Sequence, residues 1–445
     1  MSLLGAASPE PTLPEATQGS SRPLSRRAVW ANLTSVSGAH AVIHATVVLM
    51  PLVYPILRQE YHLSYTQIGL LVAIPSLIGG FLQLLFGYLG RAISRKLMIG
   101  VGNLVIALSM FFMSFATTFG GFLGWSIVRG VGGAPQHPVG SSLLTDSLGK
   151  ERHGFALAAH VAGGNLGTLL VPAIGTALLV RLGWQPTLML FALPGLVAGA
   201  AVLIFAREPG LAAAGARASK EAAPQVDADA ADGADRKRLS TRWRALVAPL
   251  RHRSVLILIA ASIVAAGGRG VGILTTYIPL YLTGSARSGG LDLTHGIVAV
   301  LFTLLLVGSV AGPLAAGRLS DRTGRRPMLL LSYGCAALFT ILLPILGNGH
   351  APFWALVVEI ALLGLAAYAE SPLMQAYLAD SAPDAEKDGA FGWYFTLAFG
   401  VGSIWSAALG RLIDRAGFAT TFYVMAASYI CAGLILLLMP RAQRA

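Results

Sequence analysis

The sequence predicts an all-α polytopic membrane protein with twelve transmembrane helices, arranged as two pseudo-symmetric six-helix bundles. Three observations carry that prediction. Hydrophobic residues make up 55% of the chain and charged residues 12%, with a mean hydropathy of +0.68, whereas a soluble globule carries about 25% charged residues. Apolar runs long enough to cross about 30 Å of hydrocarbon recur between charged turns along the whole chain. The chain also repeats itself. Gly87 to Lys96 echoes Gly317 to Arg326 at a spacing of 230, and His137-Pro138 through Thr145-Asp146 matches Ser371-Pro372 through Ala379-Asp380 at a spacing of 234. The two halves therefore read as copies of one six-helix unit.

Residues 1–30 are rich in Pro, Ser and Ala without an apolar core, and read as a disordered cytoplasmic tail. Spans are expected at about 31–57, 66–89, 97–115, 121–144, 154–179 and 185–205, an N-terminal bundle over 31–205. Residues 206–253 form a cytoplasmic linker with an Ala/Asp-rich middle and the basic cluster Arg236-Lys237-Arg238, and Trp243 suits a short helix lying on the membrane surface. Six further spans, at about 255–282, 294–315, 327–346, 353–378, 389–412 and 419–440, make a C-terminal bundle over 254–440, and 441–445 is a second cytoplasmic tail. Arg22, Arg26, Arg27, Arg91, Arg95, Lys96, Lys150, Arg152, Arg318, Arg322, Arg325, Arg326, Lys387, Arg441 and Arg444 fall at one end of such a bundle, against mainly Arg58, Arg181, Arg287 and Arg415 at the other. Both termini are thus expected in the cytoplasm. The same asymmetry accounts for the net charge of +12 without a nucleic-acid partner. Cys335 and Cys431 stand inside apolar runs and read as small packing residues rather than a disulfide or metal pair.

Charged and imidazole side chains within a span cost several kcal/mol unless paired or wetted, so each is a candidate site residue. His40 and His44 lie one turn apart in the first span and share a face with Ser37. They suit a proton, an anion or a metal, or neutral packing; a metal is disfavoured because no cysteine or carboxylate stands nearby. In the fourth span Arg129, Gly132, Gly133 and Gln136 follow helical spacing, with His137 beside them. Arg129 either offers a fixed positive charge to an anion or pairs with a carboxylate. Pro135 and Pro138 should break the helix ladder around Gln136. Gly163-Gly164-Asn165-Leu166-Gly167 in the fifth span reads as a helix contact, with Asn165 and His160 as its polar exceptions. Arg269 stands in the glycine run Gly267 to Gly272 of the seventh span, with Thr276 and Tyr277 beyond it. Glu359 and Glu370, eleven residues apart in the tenth span, share a face. Glu370 is the favoured proton carrier, with a competing role as charge partner of Arg269 or Arg129, and Glu359 should lie near the outer mouth.

Gly317-Arg318-Leu319-Ser320-Asp321-Arg322-Thr323-Gly324-Arg325-Arg326-Pro327 is a charged knot between two apolar runs, expected as a tight interfacial loop. Gly317 should let two helices pack closely, and Asp321 should meet a helix N-terminus or an arginine of the neighbouring helix in one conformation only. Gly317, Asp321, Arg322, Gly324, Arg325 and Arg326 resemble the loop motif of the major facilitator superfamily, and the resemblance implies a conformational-switch role. The N-terminal half is also similar to the fosmidomycin-resistance family of efflux transporters. That likeness rests on His40, Tyr54-Pro55, Gln67-Ile68-Gly69, His137-Pro138, Ser141-Ser142, Arg152-His153-Gly154, Gly163-Gly164-Asn165-x-Gly167 and Pro172. Three positions depart: His44 and Val139 stand where that family tends to place acids, and Arg91 replaces the aspartate of the loop motif.

Together these readings predict a secondary active transporter of a small, anionic organic molecule. Proton-coupled efflux of the antibiotic-resistance type is the first expectation, uptake of a carboxylate metabolite the second, and a non-transporting sensor on the same fold the third. The site is expected near the bilayer midplane, lined by His40, His44, Arg129, Gln136, His137, Asn165, Arg269 and Tyr277, with Glu370, His40 and His44 carrying protons. No nucleophile–base set or metal constellation is visible, so neither enzyme activity nor a cofactor is expected. The chain is expected to work as a monomer in the lipid bilayer of a bacterial inner membrane.

Overall fold

The computed structural model describes residues 24–90, 93–148, 153–208, 247–286, 289–383 and 386–440. Residues 1–23, 209–246 with Trp243, and 441–445 lie outside the described residues, as do Arg91, Lys150, Arg152 and Arg287, whereas Arg26 to Trp30, expected in the disordered tail, are the first turns of α1.

Among the described residues, twelve helical passes follow in order. The first half holds α1 (Arg26–Glu60), α2 (Tyr65–Leu89), α3 (Arg95–Met113), α4 (residues 119–147), α5 (His153–Leu182) and α6 (Trp184–Phe205). In the second half stand α7 (Arg253–Thr283), α8 (His295–Thr323), α9 (Arg325–Leu346), α10 (Phe353–Ser381), α11 (residues 387–416) and α12 (residues 418–436). Ten stretches among the described residues are long and apolar enough to cross a membrane. The last, Gly389–Leu436, runs for 48 residues, too long for one crossing at 1.5 Å per residue. It divides into α11 and α12 at Gly417, whose φ of 76° is a left-handed conformation that ends the helix. The remaining pass, α4, is broken where the sequence placed its prolines: Phe119–Gly133 gives way to a wide π turn over Gln136–Gly140 before Ser141–Ser147 resumes.

Small residues set the packing. In the first half α1 lies against α5, where a side chain on Gly167 would strike the Ala41 carbonyl and one on Gly163 would come within 2.6 Å of the Ser37 carbonyl. The glycine run of the fifth span is thus the helix contact its spacing predicts. In the second half α8 and α10 meet at Gly308, Gly312 and Gly364, again backbone to backbone. The halves touch along α2 with α11, α5 with α8, and α1 with the second part of α7.

The repeat survives in detail. Arg95 bonds Asp146 at 2.6 Å, and Arg325, 230 positions on, bonds Asp380 at 3.2 Å, 234 positions on from Asp146. Each arginine also reaches back into the helix before it: Arg95 donates to the Gly90 carbonyl and Arg325 to the Ser320 hydroxyl, again 230 apart.

The charged knot differs from its expectation. Residues 317–323 are the last turns of α8 rather than a loop, and the chain reverses at Gly324, with φ of 92°. Asp321 and Arg325 pair at 2.6 Å across the reversal, tying the end of α8 to the start of α9. Gly317 does not mediate close packing; a side chain there would meet open space. Cys431 is exposed on α12 rather than packed, and Cys335 is half-buried.

Candidate functional site

Four imidazoles gather where α1, α4 and α5 meet. His40 and His44 project one turn apart from α1, with ring centroids 4.5 Å apart. The π turn in α4 brings His137 to 5.0 Å from His40 and 6.2 Å from His44, and His160 of α5 stacks on His40 at 4.1 Å. Glycine makes room for them: a side chain on Gly164 would lie 2.9 Å from His40 and 3.2 Å from His44. Hydrogen bonds orient two of the rings. His40 Nδ1 lies 2.8 Å from the His160 carbonyl, which can only accept, so Nδ1 carries the proton and Nε2 is a bare acceptor. Thr168 donates to the Gly164 carbonyl at 3.2 Å, leaving its oxygen to accept from His44 Nδ1 at 3.1 Å and exposing His44 Nε2 in turn. His40 and His160 are buried, His44 is half-buried and His137 is exposed.

Gln136 is buried beside this group and donates to the Val36 carbonyl of α1 at 3.1 Å, while its Oε1 has no partner. Farther along α4, Arg129 is half-buried, makes no ion pair among the described residues and leaves Nε without an acceptor. A guanidinium stays charged in protein interiors, so this is an uncompensated positive group.

The other buried arginine is fully engaged. Between its two helical parts α7 is interrupted, and Arg269 stands there in extended backbone with φ of −53° and ψ of 138°. Its Nε donates to Glu370 of α10 at 3.2 Å, Nη1 to the Ala398 carbonyl at 2.7 Å, and Nη2 to the Ser262 carbonyl and hydroxyl at 2.8 and 2.7 Å. Phe399 covers the guanidinium face at 4.6 Å. Glu370 also accepts long bonds of 3.4 Å from Ser262 and Tyr333. The partner role considered for Glu370 is therefore what the described conformation holds, and the partner is Arg269, not Arg129.

Tyr277 lies apart from this group. It is fully buried, and its hydroxyl donates to the Ser406 carbonyl of α11, beside Gly69 and Gly410. It packs the end of the bundle away from the basic turns and lines no open space. Asn165 is half-buried on α5. Glu359 is buried with both carboxyl oxygens unpartnered.

Sequence reasoning passed over Asp414. This residue near the end of α11 accepts from the backbone N–H groups of Tyr65 and Thr66 at 2.9 and 2.8 Å and from the Thr66 hydroxyl at 2.6 Å. A carboxylate from one half thus caps the first turn of α2 in the other. The signal was faint, because Ser64 and Gln67 already form a reciprocal capping box before α2, at 2.9 and 3.1 Å. Locally, the helix start looks complete without a distant carboxylate.

A family model described as Major Facilitator Superfamily matches residues 36–294 and 285–445. Among curated relatives, the MFS-type transporter YfnC of Bacillus subtilis (strain 168) is 28% identical over 421 residues, covering 94% of this chain and 94% of its own. The fosmidomycin resistance protein of Escherichia coli (strain K12) is 22% identical over 396 residues, covering 88% and 89%. The crystal structure of the nucleoside transporter NupG superposes with a TM-score of 0.69 at 12% identity, over 92% of this chain and 98% of that one, a likeness of fold.

Proposed function

Because the chain belongs to the Major Facilitator Superfamily, we propose that it carries a small organic anion across the membrane in company with a proton. It is a multi-pass membrane transporter and not an enzyme.

Arg129 carries the choice of an anion. It is half-buried with an unpartnered Nε and no ion pair among the described residues. Holding a lone guanidinium in such a place is costly, and an anionic substrate supplies the missing charge. His40, His44, His137, Gln136 and Asn165 line the same half, and the bare Nε2 of His40 and of His44 becomes a donor to the anion on taking up a proton. Arg269 serves as a second, gated charge. While Glu370 is ionised it occupies Arg269; a proton delivered to Glu370 removes that competitor and leaves the guanidinium to the substrate. Proton and anion then favour each other's binding, which is the logic of cotransport. Tyr277 supports the closed end rather than the substrate.

In this reading the site sits between the bundles of 31–205 and 254–440, joined by the 206–253 linker. The chain acts as a monomer in a bacterial inner membrane with both termini cytoplasmic, and Gly317, Asp321, Arg322, Gly324, Arg325 and Arg326, around the α8–α9 reversal, act in the switch between states. Export is the second reading, favoured by the 22% identical fosmidomycin resistance protein. Purified protein in liposomes, loaded with carboxylates and phosphonates under imposed pH gradients, tests both. Accumulation on the alkaline side identifies cotransport, accumulation on the acidic side identifies exchange, and transport unaffected by Arg129→Gln would refute the anion site.

A further inference from the structure

We propose that His40, His44 and His137 form a binding site for a divalent first-row transition-metal ion. In the sequence a metal is disfavoured because no cysteine or carboxylate stands near His40 and His44, which leaves that helical pair with two ligands. The fold supplies a third by turning α4 through its π segment, and one nitrogen from each of the three rings falls within 4.8 Å of the others. Around a tetrahedral ion with metal–nitrogen bonds of about 2.1 Å, donors stand about 3.4 Å apart. The closure needed is small, and His137, exposed and free of any hydrogen bond shown among the described residues, is the ring able to make it.

Three features separate this group from packed histidines. First, both α1 rings have the tautomer that a metal needs. Each holds its Nδ1 proton on a protein oxygen and presents a bare Nε2, the arrangement by which outer hydrogen bonds orient metal-bound imidazoles. Second, His40 is only 3% exposed and its Nε2 has no partner, an uncompensated buried acceptor that a cation would satisfy. Third, a side chain at Gly164 would lie 2.9 Å from His40 and 3.2 Å from His44, so glycine leaves the room in which both rings converge. The ligand chemistry selects the ion. Neutral imidazole nitrogens without a carboxylate suit zinc, copper, nickel or cobalt and do not suit magnesium or calcium. Three protein ligands leave a fourth position open. The metal site shares His40, His44 and His137 with the anion site proposed above, but ion binding to the purified chain is read without regard to substrate or direction.

The test is titration of the purified full chain, carrying no polyhistidine tag, with zinc, nickel, cobalt and copper salts, read by calorimetry and by the ligand-field spectrum of the cobalt form. The expected result is one ion per chain and a spectrum of tetrahedral cobalt with nitrogen ligands. His137→Gln, at an exposed ring without structural bonds, should abolish that spectrum while the protein stays folded. Thr168→Val keeps all three rings but frees His44, and should weaken binding about 10–100-fold. Replacing the exposed His62, His295 and His350 together by alanine should leave binding unchanged. Absence of saturable binding by all four ions overturns the proposal, as does binding that survives both His137→Gln and Thr168→Val or that is lost with the three exposed histidines.

Discussion

Asp414 and Thr66 belong to different halves of the molecule, yet the carboxylate of one lies 2.6 Å from the hydroxyl of the other. With the Tyr65 and Thr66 amides also donating to it, Asp414 acts as the N-terminal cap of α2. The bond lies at the end of the bundle opposite the basic turns, where α2 and α11 are in contact. Any movement that parts the halves at this end must break it. Caps are worth about 0.5–2 kcal/mol, and about 1.4 kcal/mol changes an equilibrium tenfold. Asp414→Ala should therefore shift the population toward opening at this end by about two- to thirtyfold. In a background lacking Cys335 and Cys431, a cysteine placed at Thr283 near this end should react faster with a water-soluble thiol reagent once Asp414 is replaced. An unchanged rate would remove Asp414 from the gate.

The Arg269–Glu370 pair makes a different kind of prediction. Both side chains are buried, and breaking such a pair from one side costs about 3–5 kcal/mol, because the other charge is left without compensation. Glu370→Leu alone should lower thermal stability sharply. Arg269→Met with Glu370→Leu should recover most of the loss, since apolar replacement of both members is often neutral, but the double variant should not transport. Thermal unfolding and liposome flux of the four members of the cycle separate the two effects. If the double variant were as unstable as the single one, the surrounding bonds to Ala398 and Ser262 would be carrying the stability instead.

The passes were legible because a span is long and apolar whatever its neighbours do, and because Gly, Pro and charge mark its ends. Pro135 and Pro138 even placed the π turn. Less visible were relations that depend on three-dimensional neighbours. Sequence spacing put His40 and His44 on one face but could not show His137 and His160 arriving from other helices. It named Glu370 without choosing between Arg129 and Arg269, whose spacing to it is unrelated to contact. Tyr277 looked like a lining residue because it follows Arg269, yet the break in α7 separates the two. Asp414 was missed since a cap donated from 348 positions away leaves no local pattern.

Gly317 and Gly167 offer a paired test of what glycine does here. In α8, Gly317 is helical with open space where a side chain would go, so alanine there should stabilise the helix by about 0.5–1 kcal/mol. Gly167 meets the α1 backbone at Ala41, which cannot retreat, and Gly167→Ala should force α1 and α5 apart and displace the imidazoles. Thermal unfolding in detergent should rise slightly for Gly317→Ala and fall by several degrees for Gly167→Ala. A fall of the same size in both would mean that Gly317 packs closely in another state of the protein.

Finally, the matched clamps Arg95–Asp146 and Arg325–Asp380 separate stability from switching. Their carboxylates are exposed, 49% for Asp146 and 58% for Asp380, and exposed ion pairs contribute about 0.2–1 kcal/mol, less in salt. Asp380→Asn should therefore barely move thermal stability. Arg325, however, also holds Asp321 at 2.6 Å across the α8–α9 reversal and Ser320 at 2.6 Å, so the second-half clamp is a network, whereas Arg95 holds Asp146, Ser142 and Gly90. If these clamps set the pace at which the basic end rearranges, Asp380→Asn should change the flux rate while leaving the half-saturating substrate concentration nearly constant. Arg325→Lys, which keeps the charge but loses the fork that reaches Asp321 and Asp380 together, should behave like the aspartate variant. Flux measured at low and high salt checks the origin of the effect. A rate difference that vanishes in high salt is electrostatic, and one that persists locates the control in the shape of the reversal at Gly324.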